Sequence, residues 1–261
     1  MTDNAPAVMP ILAVIPCRGG SKGLPGKNIR PLGGMPLVAH SIRMAESCPA
    51  ISRTVVSTDD ERIADVARQY GGDVPFMRPA QLAQDDTPMW PVLKHALQAV
   101  EDTEGRRYGS VLLLDPTSPG RLPEDVVKAA EMLEEDANAV GVIGVSEPHF
   151  NPRWVCVEAG AGGYMQQSFS SSTTYLRRQD VPPVYRINGC LYLWRRDYVA
   201  ESPDIGFYKS PHRFLVLPEE RAVHIDELHD FRTAELLLRE GLIEFPWCAE
   251  VEKPSEPVEK R

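Results

Sequence analysis

Pro16-Cys17-Arg18-Gly19-Gly20-Ser21-Lys22-Gly23-Leu24-Pro25-Gly26-Lys27-Asn28 directly follows the apolar run Ile11 to Ile15, which reads as a buried strand. Between Arg18 and Lys27 it packs four glycines and three fixed positive charges into ten residues. Glycines let successive backbone N–H groups turn toward one point, and such a nest binds anions. Arg18, Lys22 and Lys27 add charge-assisted donors for phosphate oxygens. The stretch reads as a polyphosphate cradle, the expected seat of a nucleoside triphosphate. The competing reading is a surface loop that is basic by chance. Its place after a strand and before the amphipathic segment Leu37 to Met44 favours the cradle.

Neither common glycine-rich fingerprint is present. A Walker loop needs Gly-x-x-x-x-Gly-Lys followed by Ser or Thr. Here Ser21 stands five before Gly26, and Asn28 follows Lys27. Gly-x-Gly-x-x-Gly is also missing, because Gly23-x-x-Gly26 lacks its first element.

The 261 residues suffice for one large α/β domain or two small ones. A net charge of −9 and a pI near 5.2 argue against nucleic acid as the main partner. Local basicity in an acidic chain points instead to a focused anion site. The five cysteines are odd in number and show no Cys-x-x-Cys spacing, which reads as reduced thiols in a cytoplasmic protein. The first ten residues carry no signal-peptide pattern, and no apolar run approaches the roughly 20 residues of a membrane span. No membrane association is expected.

Short apolar runs alternate with helical patterns. Thr54 to Ser57 reads as a strand ahead of a helix over Arg62 to Tyr70, whose start Asp59-Asp60-Glu61 is acidic. Val111 to Leu114 is a further strand, broken by Asp115-Pro116-Thr117-Ser118-Pro119. Glu124 to Glu135 reads as a helix, Ala139 to Val145 as a strand, and Val74 to Met77 as strand-like. Runs apolar on both faces and separated by helices predict an α/β fold, a doubly wound, mostly parallel sheet covered on both sides. Ligands of such sheets bind beyond the C-terminal strand ends. The glycine loop, Ser57 to Asp59, Asp115 to Ser118 and Ser146-Glu147 are expected to converge there.

After Pro148 the rhythm changes. Trp154 to Tyr175 reads as a hairpin-like excursion, Tyr185 to Trp194 as an alternating, aromatic-rich strand, and Glu227 to Leu238 as a closing helix. A single domain over 1–248 is expected, with 150–183 as a protruding arm and 249–261 as a disordered tail.

The loop from Ile15 to Asn28 resembles the signature of the acylneuraminate cytidylyltransferases, which make CMP-activated sialic acids. Five further blocks follow in family order: Val56-Ser57-Thr58-Asp59, Arg78 to Asp85, Pro116-Thr117-Ser118-Pro119, Arg186-Ile187-Asn188-Gly189 and Ile225-Asp226. The resemblance implies a Rossmann-like nucleotidyltransferase fold and a magnesium-dependent reaction of CTP with a nonulosonic 2-keto-3-deoxy sugar acid. It assigns Arg18 and Lys27 to catalysis, by stabilising charge as pyrophosphate leaves. Ala13, Pro16, Arg18, Lys22, Asn28, Arg78 and Asp85 fall to the nucleotide, with backbone amides near Ala13 and Pro16 shaping a pyrimidine slot. Arg178, Arg186 and Asn188 fall to the sugar acid, since guanidinium matches a carboxylate fork. A homodimer built through the arm is also implied.

Two departures bear on the metal. Asp115 stands where sialic acid enzymes carry Gln, and His224-Ile225-Asp226 stands where they carry Asp-Ile-Asp. The related Kdo cytidylyltransferases place aspartates near both Asp115 and Asp226. Magnesium prefers hard carboxylate oxygens, so Asp115 and Asp226 are expected to hold it. Asp115 could instead merely start the turn before Pro116. Zinc at His224 and His229 is not expected, because five residues apart they do not share a helical face as four would. A Kdo-type or other same-fold transferase, and a non-catalytic nucleotide-sugar binder, stay open as alternatives.

Overall fold

Ile11–Cys17 forms β1, and all seven of its residues are buried. The structure, a computed structural model, describes residues 10–169 and 175–248. After β1 come the short pair β2 (Pro31–Leu32) and β3 (Met35–Pro36), then α1 (Leu37–Glu46), β4 (Ile51–Thr58) and α2 (Glu61–Gln69). Next are α3 (Met89–Glu104), β5 (Ser110–Leu113), α4 (Pro123–Glu135), β6 (Gly141–Ser146), α5 (Pro152–Val155), β7 (Val157–Ala159) and β8 (Met165–Gln167). The chain closes with β9 (Arg186–Arg195), α6 (Arg196–Glu201), β10 (His212–Val216) and α7 (Leu228–Arg239).

Six strands form one sheet in the order β10-β6-β9-β5-β1-β4. β1 runs parallel to both β4 and β5, and β10 runs parallel to β6. β9 alone is antiparallel, lying between β5 and β6. Alternation along β1 divides the core. Ile11, Ala13, Ile15 and Cys17 pack with α1, α2 and α4, while Leu12 and Val14 face α3 and α6. The sheet is doubly wound as its apolar runs predict. β4 and β5 flank β1 on opposite sides, so the topology reverses at β1, where a crevice opens beyond the carboxyl ends of β1 and β5.

The expected helices form with small boundary shifts. α2 is capped by the Asp60 carboxylate, which accepts from the Arg62 amide at 2.8 Å. α3, of 16 residues, was not anticipated; Pro91 falls in its first turn, where a missing N–H is tolerated. Val74 to Met77 is extended but joins β4 through a single parallel bridge, Thr58 to Met77. The expected excursion contains the hairpin β7–β8, with residues 170–174 outside the described part. The proposed tail, 249–261, likewise lies outside it. Among the described residues no helix is long and apolar enough to cross a membrane.

A third apolar cluster joins the glycine loop to the C-terminal helix: Leu24 packs with Leu32, Leu37, Ile225 and Phe231. His40 lies beneath it, fully buried. Its Nε2 lies 2.9 Å from the Leu32 carbonyl and its Nδ1 3.1 Å from Trp247 Nε1, so Nε2 carries the proton and Nδ1 accepts from the indole. Burial lowers the His40 pKa below its ordinary value, with the Leu32 and Met35 carbonyls opposing. The unfolded chain therefore takes up this proton first as pH falls, and stability drops below the ordinary histidine range of about 6.5. Urea unfolding at pH 7.5 and 5.5 should show that loss, and His40→Gln should lessen it. An identical pH dependence in both proteins would contradict the assignment.

Candidate active site

The loop leaving β1 is held by carboxylates at both ends. The Gly19 amide donates to Asp59 Oδ1 at 3.0 Å, and a Cβ on Gly19 would fall 2.6 Å from Asp60 Oδ2. Asn28 Nδ2 ties back to the Arg18 carbonyl at 3.0 Å. Gly26 has φ +67°, a left-handed geometry that starts the 3₁₀ turn Lys27–Ile29. A Cβ on Gly23 would meet the Asp226 carbonyl at 2.6 Å, so the loop passes directly over the start of α7. Leu24, packed on Ile225, is the apolar foot of this contact.

A cleft of about 400 Å³ opens at the crevice. Lys27, 9% exposed, donates from Nζ to the Ile225 carbonyl at 2.8 Å and to Asp226 Oδ1 at 3.0 Å. Burial raises the Asp226 pKa, but the Lys27 hydrogen bond and the field of His224 outweigh it and hold the carboxyl below its usual range. Arg18 Nη1 lies 3.0 Å from Asp85 Oδ1, and Lys22 pairs with the other oxygen of the same carboxylate. Arg78, nearly buried, donates from Nε to Ser57 Oγ at 3.1 Å and from Nη2 to the Ser57 carbonyl. Across the cleft Asp115 Oδ1 accepts from the Thr117 amide at 3.0 Å.

Of the residues expected from sequence, Pro16, Arg18, Lys22, Lys27, Asn28, Arg78, Asp85, Asp115 and Asp226 all line this one cleft. Ala13 lies within the sheet, paired on both sides by β4 and β5 and fully buried. Arg178, Arg186 and Asn188 do not line it. Arg178 donates to the His149 carbonyl at 2.6 Å, and Arg186 is paired with Glu219 at 3.0 Å. Asn188 is buried, with Oδ1 accepting from the Cys190 amide and Nδ2 unpartnered. The expected convergence also fails at β6. Its end is separated from β5 by β9, and Ser146 turns instead to Glu219.

The sequence singles out His224 only as a departure beside Asp226, without its partners, and does not single out Arg121 at all; the structure sets both against the residues of the cleft. His224 Nδ1 lies 2.9 Å from Ser118 Oγ and its Nε2 3.1 Å from Asp226 Oδ2, so the imidazole holds the second oxygen of the Asp226 carboxylate. Arg121, 1% exposed, donates from Nη2 to the Asp115 and Ser118 carbonyls and so braces the turn. Neither burial nor these long-range partners leaves a local sequence signal, though a charged residue just past a Pro-Thr-Ser-Pro turn could have been examined for one.

The donor set suits a hard divalent cation shared with phosphates. Asp115 and Asp226 present carboxylate oxygens to one cleft. Among the described residues no three His, Cys, Asp or Glu side chains group as a metal cage. Magnesium typically takes one or two protein carboxylates and fills its sphere with water and substrate phosphate.

Residues 12–230 match the family described as cytidylyltransferase. The chain is 36% identical over 232 residues to the CMP-N,N'-diacetyllegionaminic acid synthase of Legionella pneumophila, across 88% of this chain and 97% of that one. It is 33% identical over 230 residues to the post-translational flagellin modification protein B of Campylobacter coli, across 88% and 95%. Among solved structures it resembles a CMP:2-keto-3-deoxy-manno-octonic acid synthetase complexed with CTP, with TM-score 0.66 and 17% identity over 89% of this chain and 99% of that one. At that identity the structural likeness speaks to the fold.

Proposed function

This chain belongs to the cytidylyltransferase family, and from that premise we propose that it transfers CMP from CTP to the anomeric hydroxyl of a nonulosonic, sialic-acid-like sugar acid, releasing pyrophosphate. The observation that carries the reading is the meeting of Arg18, Lys22 and Lys27 with Asp115 and Asp226 in one cleft at the switch point of the sheet. The legionaminic acid synthase relative supports the sugar class.

In the reaction the sugar oxygen forms a bond to the α-phosphorus while the bond to the bridging oxygen of pyrophosphate breaks. Charge grows on the non-bridging and leaving oxygens, so catalysis is mostly positioning and electrostatic stabilisation. Lys27 is set for this: buried and doubly hydrogen-bonded, it needs little reorganisation. Beside phosphates, lysine and arginine stay protonated, so neither acts as the general base. Arg78 and Asn28 would border the pyrimidine. Asp115 and Asp226 would hold magnesium, which when bound would neutralise phosphate charge.

We further propose a homodimer formed through the arm. Tyr164 and Met165 are 79% and 78% exposed, and Trp154, Val155 and Val157 of the same arm are also exposed, an unusual apolar concentration for an uncovered surface. All five cysteines are free thiols, which supports the proposed cytoplasmic setting.

Pyrophosphate release should be strong with CTP and a nonulosonic acid, and weak with Kdo or with ATP or GTP. No turnover with any acceptor would favour a nucleotide-sugar binder. Lys27→Ala should lower kcat by ~10²–10³ with a much smaller change in the CTP KM; an unchanged kcat with a raised KM would remove Lys27 from catalysis. Asp115→Asn and Asp226→Asn should each raise the magnesium concentration for half-maximal rate, since each removes a charged oxygen ligand at nearly constant shape. Should Asp115→Asn leave that titration untouched, the two-carboxylate assignment is wrong. Sedimentation at assay concentration should give a dimer; a fully active monomer would refute the assembly.

A further inference from the structure

Two of the three loop cations are paired with one carboxylate, which offsets half of their charge. Asp85 accepts from Arg18 Nη1 at 3.0 Å through Oδ1 and pairs with Lys22 through Oδ2, while the neighbouring Gln84 carbonyl also takes Arg18 at 3.0 Å. Its two oxygens therefore sit between a guanidinium and an ammonium, the arrangement in which those groups would grip a phosphate. A phosphate and Asp85 cannot share the two cations without bringing like charges into contact.

The three carboxylates that tie down the loop differ in how firmly they are held. Asp226 is bonded on one oxygen by the buried Lys27 and on the other by His224. Asp59 receives the Gly19 backbone amide. Asp85 touches only side chains, is 46% exposed, and stands on residues 83–88, which form neither helix nor strand. Lys22 is itself 78% exposed. Exposed pairs of this kind are weak, so an incoming polyanion can open them.

We propose that Asp85 is a displaceable latch: it pairs with Arg18 and Lys22, yields them to an incoming polyphosphate, and competes for them again when pyrophosphate must leave. This rests on the reading of the cleft as a triphosphate site. Asp85 then weakens CTP and pyrophosphate binding together and speeds product release, the reverse of a nucleotide ligand.

The test is calorimetric binding of CTP and of pyrophosphate, with pyrophosphate product inhibition, for wild type, Asp85→Asn and Asp86→Asn. Asp86→Asn makes the same charge change one residue away, at an exposed side chain outside the cleft. Asp85→Asn should tighten both ligands about two- to five-fold and deepen pyrophosphate inhibition to match, the range expected for exposed ion pairs. Asp86→Asn should change both by much less. Equal or weaker binding by Asp85→Asn overturns the latch, and so do equal gains in the two variants, which would reflect general charge alone. If wild type binds neither CTP nor pyrophosphate, the proposed function fails and the latch with it; normal wild-type binding with no gain in Asp85→Asn removes only the latch.

Discussion

Lys27 is a nearly buried ammonium, and the site is organised around satisfying it. A charge taken from water is costly unless it is paired and hydrogen-bonded. Here the Ile225 carbonyl and the Asp226 carboxylate do this from almost two hundred residues further along the chain. The contact pulls the glycine loop onto the start of α7, and Leu24 packed against Ile225 and Phe231 makes the approach favourable. Gly23, with no room for a Cβ above the Asp226 carbonyl, lets the backbones meet. The cleft is the space this closure leaves beneath the ends of β1 and β5.

Around that fixed pair the charges are graded. His224 and Lys27 grip both oxygens of Asp226, so its carboxylate faces the cleft in one orientation. Opposite, the Asp115 turn is braced from below by Arg121 through backbone carbonyls, which leaves the Asp115 side chain with a single amide bond. An acidic protein thus keeps a concentrated positive loop without exposing it bare. That suits a highly charged substrate that must bind and whose product must also leave.

The antiparallel strand β9 accounts for the geometry beside the cleft. By entering between β5 and β6 it separates the Asp115 turn from the end of β6, and Ser146 joins Glu219 and Arg186 in a neighbouring cluster. Gly189, at φ +77°, lies where a Cβ would touch Ser118 Oγ at 2.9 Å and His224 Nδ1 at 3.4 Å. β9 therefore packs its backbone against the residues that orient Asp226.

Much of this was legible in local pattern. The continuous apolar runs announced buried parallel strands, and the glycines with Arg18, Lys22 and Lys27 announced the anion loop, because strand period and backbone freedom are properties of neighbouring residues. The same holds for α1, α2, α4 and α7, whose apolar spacing is contained within each segment. What only the tertiary structure decided are the partners: Asp85 on Arg18 and Lys22, His224 between Ser118 and Asp226, Arg121 beneath its turn, and Ser146 turned away from the cleft. Each depends on where distant segments lie once the sheet order is set. A charge in a sequence declares its sign, while the company that fixes its energy is chosen by the packing of the whole chain.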